Sequence, residues 1–509
     1  MKLGLRFGSL TAIVSTVSLA AVAQADCPDY TTYSQSPQGN ASTGPLGLPY
    51  MRPDPACRTF NSTIVEKVIS DMTTRLKDPD VARLFENTFP NTLDTTVKYY
   101  DQSKNLAFII TGDITAQWLR DTGNQFAHYR SLLSLDKDLA TLVKAVINNE
   151  ARYVTQYPYC GAFQPPPESG LAPTHNDWAD GVVVNPPVNN QTVFECKYEI
   201  DSLCGFIKLS VSYYQATKDT SMMNNNWLYA IDQIFRVINE QSQPSFDANF
   251  NYVSYYNWTG TPGASYSPAV DNSGNGEPKG YTGMVGTHHR PSDDLSVFAF
   301  LTPANAMLSV ELQNLATILD DAKLAPNVSA QAKQWSKTIE EAIWKYTVVD
   351  NIFAYETNGL GSRYVMDDAN VPSLLSLPYL GFLNRTQPAF VATKKMLMSR
   401  QNPYYAKGAN FSGIGGPHVD AWNPWPMSQI SNVFSTDNDA EILNSLYTIV
   451  NNTDGLGLIH ESVSIYDESD YTRPWFAWAN SYFAEMLLDL AQRKPHLIFK
   501  DNKPYTPGM

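Results

Sequence analysis

A mostly α-helical fold is predicted by three features of the sequence. Apolar residues recur at helical spacing in segment after segment, polar and aromatic motifs fall in the connections, and strand-like runs are few. From Arg58 to Lys77 the apolar positions Ile64, Val65, Val68, Ile69 and Met72 follow a helical period. The same pattern predicts helices over Trp118–Leu133, Lys137–Tyr153, Lys197–Gln215, Trp227–Asn239, Leu295–Leu319, Ala330–Tyr346, Ala389–Met398, Asp437–Val450 and Trp475–Leu490. Leu106–Thr111 reads as a short strand. Strong punctuation separates these segments: Gln164-Pro165-Pro166-Pro167, Asn185-Pro186-Pro187, and a Tyr/Ser/Gly-rich run from Asn249 to Gly283. Helix pairs strung over about 450 residues fit an (α/α)6 toroid. In that architecture inner helices pack around an axis, outer helices cover their backs, and long rim loops converge on a central pocket. Periodicity by itself establishes only the mostly-α class.

The 509 residues exceed one ordinary core of about 100–200 residues. We expect residues 1–25 to be a signal peptide, 26–56 an extended Pro/Ser/Gly-rich arm, and 57–509 a single (α/α)6 domain. Lys2 and Arg6 precede the apolar run Gly8–Val22, which closes on the cleavage-type Ala23-Gln24-Ala25. Eight N-x-S/T sequons, at Asn40, Asn61, Asn190, Asn257, Asn327, Asn384, Asn410 and Asn451, fit a secreted or secretory-pathway glycoprotein. That route permits disulfides, and five cysteines leave at least one unpaired. The expected pairs are Cys27–Cys57 and Cys160–Cys196, with Cys204 a buried thiol. A net charge of −14 argues against nucleic acid and anionic membranes as partners. The 29 Tyr and 10 Trp serve either a large aromatic core or the flat C–H faces of sugar rings.

Five segments concentrate polar and aromatic residues at helix junctions. In TGDITAQWLRD (111–121), Trp118 beside Arg120 and Asp121 suits ring stacking and charge-assisted bonds to vicinal hydroxyls, or else a local salt bridge. Glu199 and Asp201 are ligand candidates or simple anions at a helix start. In HRPSDD (289–294), Pro291-Ser292 looks like a helix entry, and one of Asp293 and Asp294 is a candidate acid; Arg290 opposes that by lowering a neighbouring pKa. GIGGPH (413–418) and the following Trp422 and Trp425 form a rigid wall. In IHES (459–462), Glu461 is a poised base or a buried acid paired with Arg473. A zincin site needs histidine where Ser464 stands, and the sequence offers no Walker loop or dinucleotide fingerprint, so neither metal nor cofactor is expected.

Together with KYEIDSLC (197–204), MDDANVPSLLSLPYLG (366–381) and TRPWFAWANS (472–481), these segments resemble glycoside hydrolase family 125, the exo-α-1,6-mannosidases, over about Asn61 to Ala491. The resemblance implies an (α/α)6 toroid and metal-independent, inverting hydrolysis of terminal α-1,6-mannose from mannose-containing oligosaccharides or N-glycans, by a protein expected to be monomeric. It implies Asp293 or Asp294 as general acid and Glu461 as general base. It places Trp118, Arg120 and Asp121 at the departing mannose, with Glu199, Asp201, Arg290, Asp367, Asp368, His418 and Asn480 as further hydroxyl contacts. The alternatives are an exo-α-mannosidase of another linkage, or a carbohydrate-binding protein on the same scaffold.

Overall fold

The computed structural model describes residues 27–260 and 272–508. The candidate signal peptide and part of the Tyr/Ser/Gly-rich run lie outside the described residues. Among the described residues, twelve α-helices have seven residues or more: α1 (Thr63–Arg75), α2 (Pro79–Thr88), α3 (Leu119–Gln125), α4 (Lys137–Gln156), α5 (Ile200–Thr217), α6 (Asn225–Gln241), α7 (Thr302–Ala322), α8 (Pro326–Tyr346), α9 (Pro388–Leu397), α10 (Pro426–Phe434), α11 (Asp439–Val450) and α12 (Ala477–Arg493).

Burial sorts them into two kinds. Every residue of α3 and α10 is buried, and α5, α7 and α12 are buried on nearly all sides, as helices enclosed by others must be. Helices such as α6 bury one stripe, here Trp227, Ala230, Ile231, Ile234, Phe235 and Ile238. Contacts run from α10 to α12, α3, α5 and α7 in turn, with α11 against α10, α2 against α12, α4 against α5, and α8 against α7. Between α7 and α10 a series of turns takes the inner place, and its Tyr379 packs on Phe434 and Tyr482. The layering is in keeping with an (α/α)6 toroid. No helix of the described residues is long and apolar enough to cross a membrane.

The contact between α3 and α5 is backbone to backbone. A Cβ on Gly123 would lie 2.7 Å from Gly205 O, and one on Gly205 would lie 2.5 Å from Leu119 O. Two small residues thereby set Arg120 of α3 beside Glu199 and Asp201 at the start of α5.

The inner helices also begin differently. None of α3, α5, α7, α10 and α12 has a capping side chain, whereas Ser62, Asp78, Asp136, Asn224, Gln387 and Asn438 cap helices outside the ring. Neighbouring backbone takes the place of caps: Leu119 N–H donates to Gly161 O, Thr302 N–H to Tyr355 O, and Ala477 N–H to Thr111 O. Short strands at the helix entries make this possible. Gln117–Trp118 pairs with Ala162–Phe163, which pairs with Val193–Glu195, and the Cys160–Cys196 disulfide flanks the same sheet. Cys27 is bonded to Cys57, and Cys204 is a buried thiol on α5, as the cysteine pattern suggested.

Missing caps explain where periodicity misplaces boundaries. The helix expected from Leu295 begins at Thr302, with Pro303 in its first turn. Residues 290–294 form a tight turn instead: Asp293 N–H donates to Arg290 O, Arg290 N–H donates to Asp294 O, and Asp293 takes φ +66°. Pro, Ser and two acids imitate a helix entry here without being one. The helix expected through Leu133 stops at Gln125 and passes into 3-10 turns over Ala127–Leu132. α2 and α10 lie outside the expected spans; each opens on a proline, Pro79 and Pro426.

Because both glycines sit at a backbone contact, Gly205→Ala should cost about 1–3 kcal/mol of stability, read as a lower midpoint in urea unfolding.

Candidate active site

The entries of α3, α10 and α12 and the 290–294 turn border a cavity lined by Trp118, Asp121, Asp293, Asn370, His418, Trp425, Glu461 and Arg473, among others. A hollow of about 700 Å³ is larger, lined by Tyr379, Glu485 and Asp489. Its two acids lie one turn apart on α12, so they cannot take opposite faces of one ligand. The smaller cavity has acids from separate parts of the chain.

One wall is built around Asp293. Trp118 Nε1 donates to Asp293 Oδ1 at 3.3 Å, and Arg120 Nη1 lies 3.5 Å from the same oxygen. Arg120 also contacts Asp121 at 3.0 Å and Glu199 through Nη1, and its guanidinium lies over the Trp478 ring. Lys197 pairs with Glu195 at 2.8 Å. Five carboxyl groups (Asp121, Glu195, Glu199, Asp201, Asp293) thus share the fields of two cations, Arg120 and Lys197. Burial penalises unneutralised charge, so protons stay on some of them. Burial pushes Asp121 up to about 6 and Asp201 up to about 7, with Arg120 offsetting part of the rise. Burial likewise drives Glu199 well above the carboxylate range. For Asp293 burial acts in the same sense, but Arg120 and Lys197 outweigh it and hold the carboxyl well below its ordinary value.

The second wall carries Glu461. Asn480 of α12 clasps Ile459 through both backbone groups, and the strand Ser462–Val463 pairs with Tyr471–Thr472. The partner strand delivers Arg473 with φ +51°, a left-handed backbone unusual for a side chain this large. Arg473 Nε donates to Glu461 Oε1 at 3.1 Å, and Nη1 donates to Asp113 Oδ1 at 2.7 Å. Glu461 is therefore both the buried partner of Arg473 and part of the cavity wall. His418 sits between the walls, within the fields of Asp294, Glu461 and Asp293; burial alone would lower it, but its contact with Asp294 outweighs burial and raises it to about 9.

The structure separates the two candidate acids. Asp293 lines the cavity. Asp294 is buried behind it, accepts from Ser292 Oγ at 2.7 Å, and faces His418 at 3.5 Å. Trp118, Asp121, His418 and Glu461 also line the cavity, with Arg120, Glu199 and Asp201 buried around Asp293. Arg290, Asp367, Asp368 and Asn480 do not line the cavity and are engaged by protein groups, Asp368 by two residues of the lining. Arg290 Nε donates to Glu356 at 2.6 Å, and Glu356 also accepts from Val297 and Phe298 N–H, stapling the turn. Arg290 therefore neutralises Glu356, and the cations acting most strongly on Asp293 are Arg120 and Lys197, with His418 adding to them. Asp367 accepts from Leu374 and Leu375 N–H, while Asp368 binds Asn370 and Ser292. Sequence reasoning did not single out Asp113 and Asn370, although both lie within the motifs, whereas it gave Trp425 a place in a rigid wall and Arg473 as the possible partner of Glu461. Among the described residues, one His/Asp cluster has metal-like spacing: His175, Asp177 and Asp180, all exposed, two of which line a separate groove.

A cavity at the uncapped ends of paired helices, with buried acids on separate walls, defines the class of helical glycosidase-type sites. Comparison makes the assignment specific. Residues 78–488 match the family model for metal-independent alpha-mannosidases, GH125. A curated fission-yeast relative, the meiotically up-regulated gene 157 protein of Schizosaccharomyces pombe, is 45% identical over 494 residues, covering 93% of this chain and 94% of its own. A metal-independent alpha-mannosidase from Streptococcus pneumoniae, solved in a non-productive complex with alpha-1,6-mannobiose, superposes with a TM-score of 0.77 at 30% identity, over 85% of this chain and 99% of that one. The chain belongs to the GH125 family of metal-independent alpha-mannosidases.

The raised values carry a stability consequence. Asp121 and Asp201 bind protons in the fold that an unfolded chain releases near pH 4, and His418 keeps one that an unfolded histidine releases near pH 6.5. All three contributions are present at low pH and lost as pH rises through about 6, about 7 and about 9. Asp201→Asn should therefore lose less thermal midpoint between pH 5 and pH 8 than the wild type, the buried neutral His128, His288 and His460 acting in the opposite sense in both proteins; an unchanged difference in calorimetry would rule out the proton on Asp201.

Proposed function

We propose that this chain is an exo-acting α-mannosidase that hydrolyses terminal α-1,6-linked mannose from mannose-containing oligosaccharides and N-glycans with inversion. The observation that carries the reading is that Asp293 and Glu461 line one cavity with different partners, Asp293 beside Trp118 and Arg120, Glu461 beside Arg473. In the reaction Asp293 gives a proton to the glycosidic oxygen, and the electron pair of the breaking C1–O bond stays on that oxygen. Glu461 takes a proton from the water that attacks C1 on the opposite face. Inversion calls for a separation of about 6.5–9.5 Å between the two carboxyl groups, leaving room for that water. Arg473 holds the Glu461 carboxyl in place through Nε–H donated to Oε1. Trp118 offers a ring for the apolar face of the sugar, and Asp121 offers a hydroxyl contact at the cavity wall. The pneumococcal relative's α-1,6-mannobiose complex supports the linkage.

We also propose passage through the secretory route. Two disulfides support it, as do the sequon asparagines, of which all are exposed except the half-buried Asn257.

Proton NMR of α-1,6-mannobiose hydrolysis, run in a chelator, should show β-mannose first; α-mannose first would mean retention and wrong roles for both acids. Glu461→Gln should fold and lose about two to four orders of magnitude in kcat. Asp293→Asn should be crippled far more than Asp294→Asn, and equal kcat/KM for the two variants would remove Asp293 from its role.

A further inference from the structure

The acid wall holds more than the reaction above uses. Glu199 sits at the entry of α5 and is 2% exposed. Its Oε2 accepts from Arg120 Nη1 and, at 3.3 Å, from Ser202 Oγ. Its Oε1 is fully buried and receives no donor from another side chain or the backbone. Arg120 Nη1 contacts Glu199 Oε2 and lies 3.5 Å from Asp293 Oδ1, so one buried nitrogen holds the two carboxyl groups side by side. Two buried carboxylates gathered on one cation repel each other, and a hydrogen retained by one of them relieves that repulsion, as in any closely spaced acid pair. With both donors to Glu199 spent on Oε2, Oε1 is the oxygen left to hold it.

We propose that Glu199 and Asp293 form a carboxyl pair sharing one proton, in which Glu199 stores the proton that Asp293 delivers to the departing sugar oxygen. The inference rests on the acid role given to Asp293 above. The charges around the pair are Arg120 and Lys197 on the cationic side, Asp121, Asp201 and Glu195 on the acidic side, and His418 across the cavity. Burial pushes Glu199 well up, while Arg120 and Lys197 hold Asp293 down against its own burial. The resting proton therefore lies on Glu199, beside Asp293. In the step itself the O–H bond of Glu199 breaks as one forms on Asp293. Asp293 passes a proton to the glycosidic oxygen, and the C1–O bond breaks with its electron pair on that oxygen. The pair is left with one proton fewer, and the proton Glu461 takes from water restores the total through solvent. Glu199 is thus a positioning and proton-storing residue that acts through Asp293.

Glu199→Gln keeps the shape and a hydrogen-bond donor but cannot give up a proton. On α-1,6-mannobiose, whose leaving group needs protonation, kcat should fall at least about tenfold. On α-mannosyl fluoride, whose leaving group needs none, it should fall by less than about threefold. The alkaline limb of kcat/KM on mannobiose should move to lower pH, because Asp293 left with Arg120 and Lys197 holds its proton less tightly. Equal losses on both substrates with an unmoved pH profile would overturn the proposal and leave Glu199 a structural residue. Wild-type protein with 13C-labelled carboxyl groups provides a test that needs no substitution: a proton retained on Glu199 at neutral pH supports the pair, and full ionisation of both groups overturns it. Failure of the wild-type protein to hydrolyse either substrate would sink the mannosidase reading itself, a result distinct from any behaviour of the Gln variant.

Discussion

The site depends on one buried cation. Arg120 is 4% exposed, and it contacts Asp121, Glu199 and Asp293 while its plane rests on Trp478. A guanidinium so enclosed is retained because acids neutralise it, and those acids tolerate burial because it is there. Its position follows from the absence of two side chains. Gly123 and Gly205 let α3 and α5 touch along their backbones, so that Arg120 meets the first turn of the neighbouring helix. A larger residue at either position would separate the charges this wall is made from.

The second constraint concerns how the inner helices start. Residues immediately ahead of α3, α10 and α12 reach the cavity, including Trp118, Trp425 and Phe476. Had these entries used Ser or Asp caps, those side chains would have turned back onto their own helices. Short strands and neighbouring carbonyls satisfy the first N–H groups instead, which frees the entry positions for aromatic and acidic residues. The uncapped ends also bring the positive poles of several helices toward a cluster rich in carboxylates, a favourable orientation for negative charge.

The two walls treat their acids in opposite ways. Around Asp293 carboxyl groups outnumber cations, so protons are retained and pKa values spread apart, upward for Glu199 and Asp201 and downward for Asp293. At Glu461 one arginine serves the acid, and Asp113 fixes that arginine from its other side. One cavity thus presents two acids with different partners, Asp293 among several carboxyl groups and Glu461 against a single arginine. The cost is a buried network in which Asp121, Asp201 and His418 contribute less stability as pH rises, a usual exchange of stability for reactive geometry.

The helical class, the Cys27–Cys57 and Cys160–Cys196 pairs and the motifs that supply the cavity were all legible in the sequence, because each rests on local pattern: apolar period, cysteine order, or clustered polar residues. Boundaries were least legible where tertiary pairing replaced a cap, as at Leu295, where a turn held by Glu356 stands in place of a helix entry. The site was legible as motifs but not as roles. Asp293 and Asp294 are adjacent and chemically identical, and only the left-handed turn at Asp293 puts one on the cavity and the other behind it. Arg290 lies close to both in sequence yet is spent on Glu356, while Arg120, more than 170 residues earlier, provides the charge beside Asp293. Asp113 and Arg473 meet across 360 positions. A sequence states which charges a chain carries; which charges neutralise one another depends on distances of a few ångströms between remote segments, and these are set by how the helices pack.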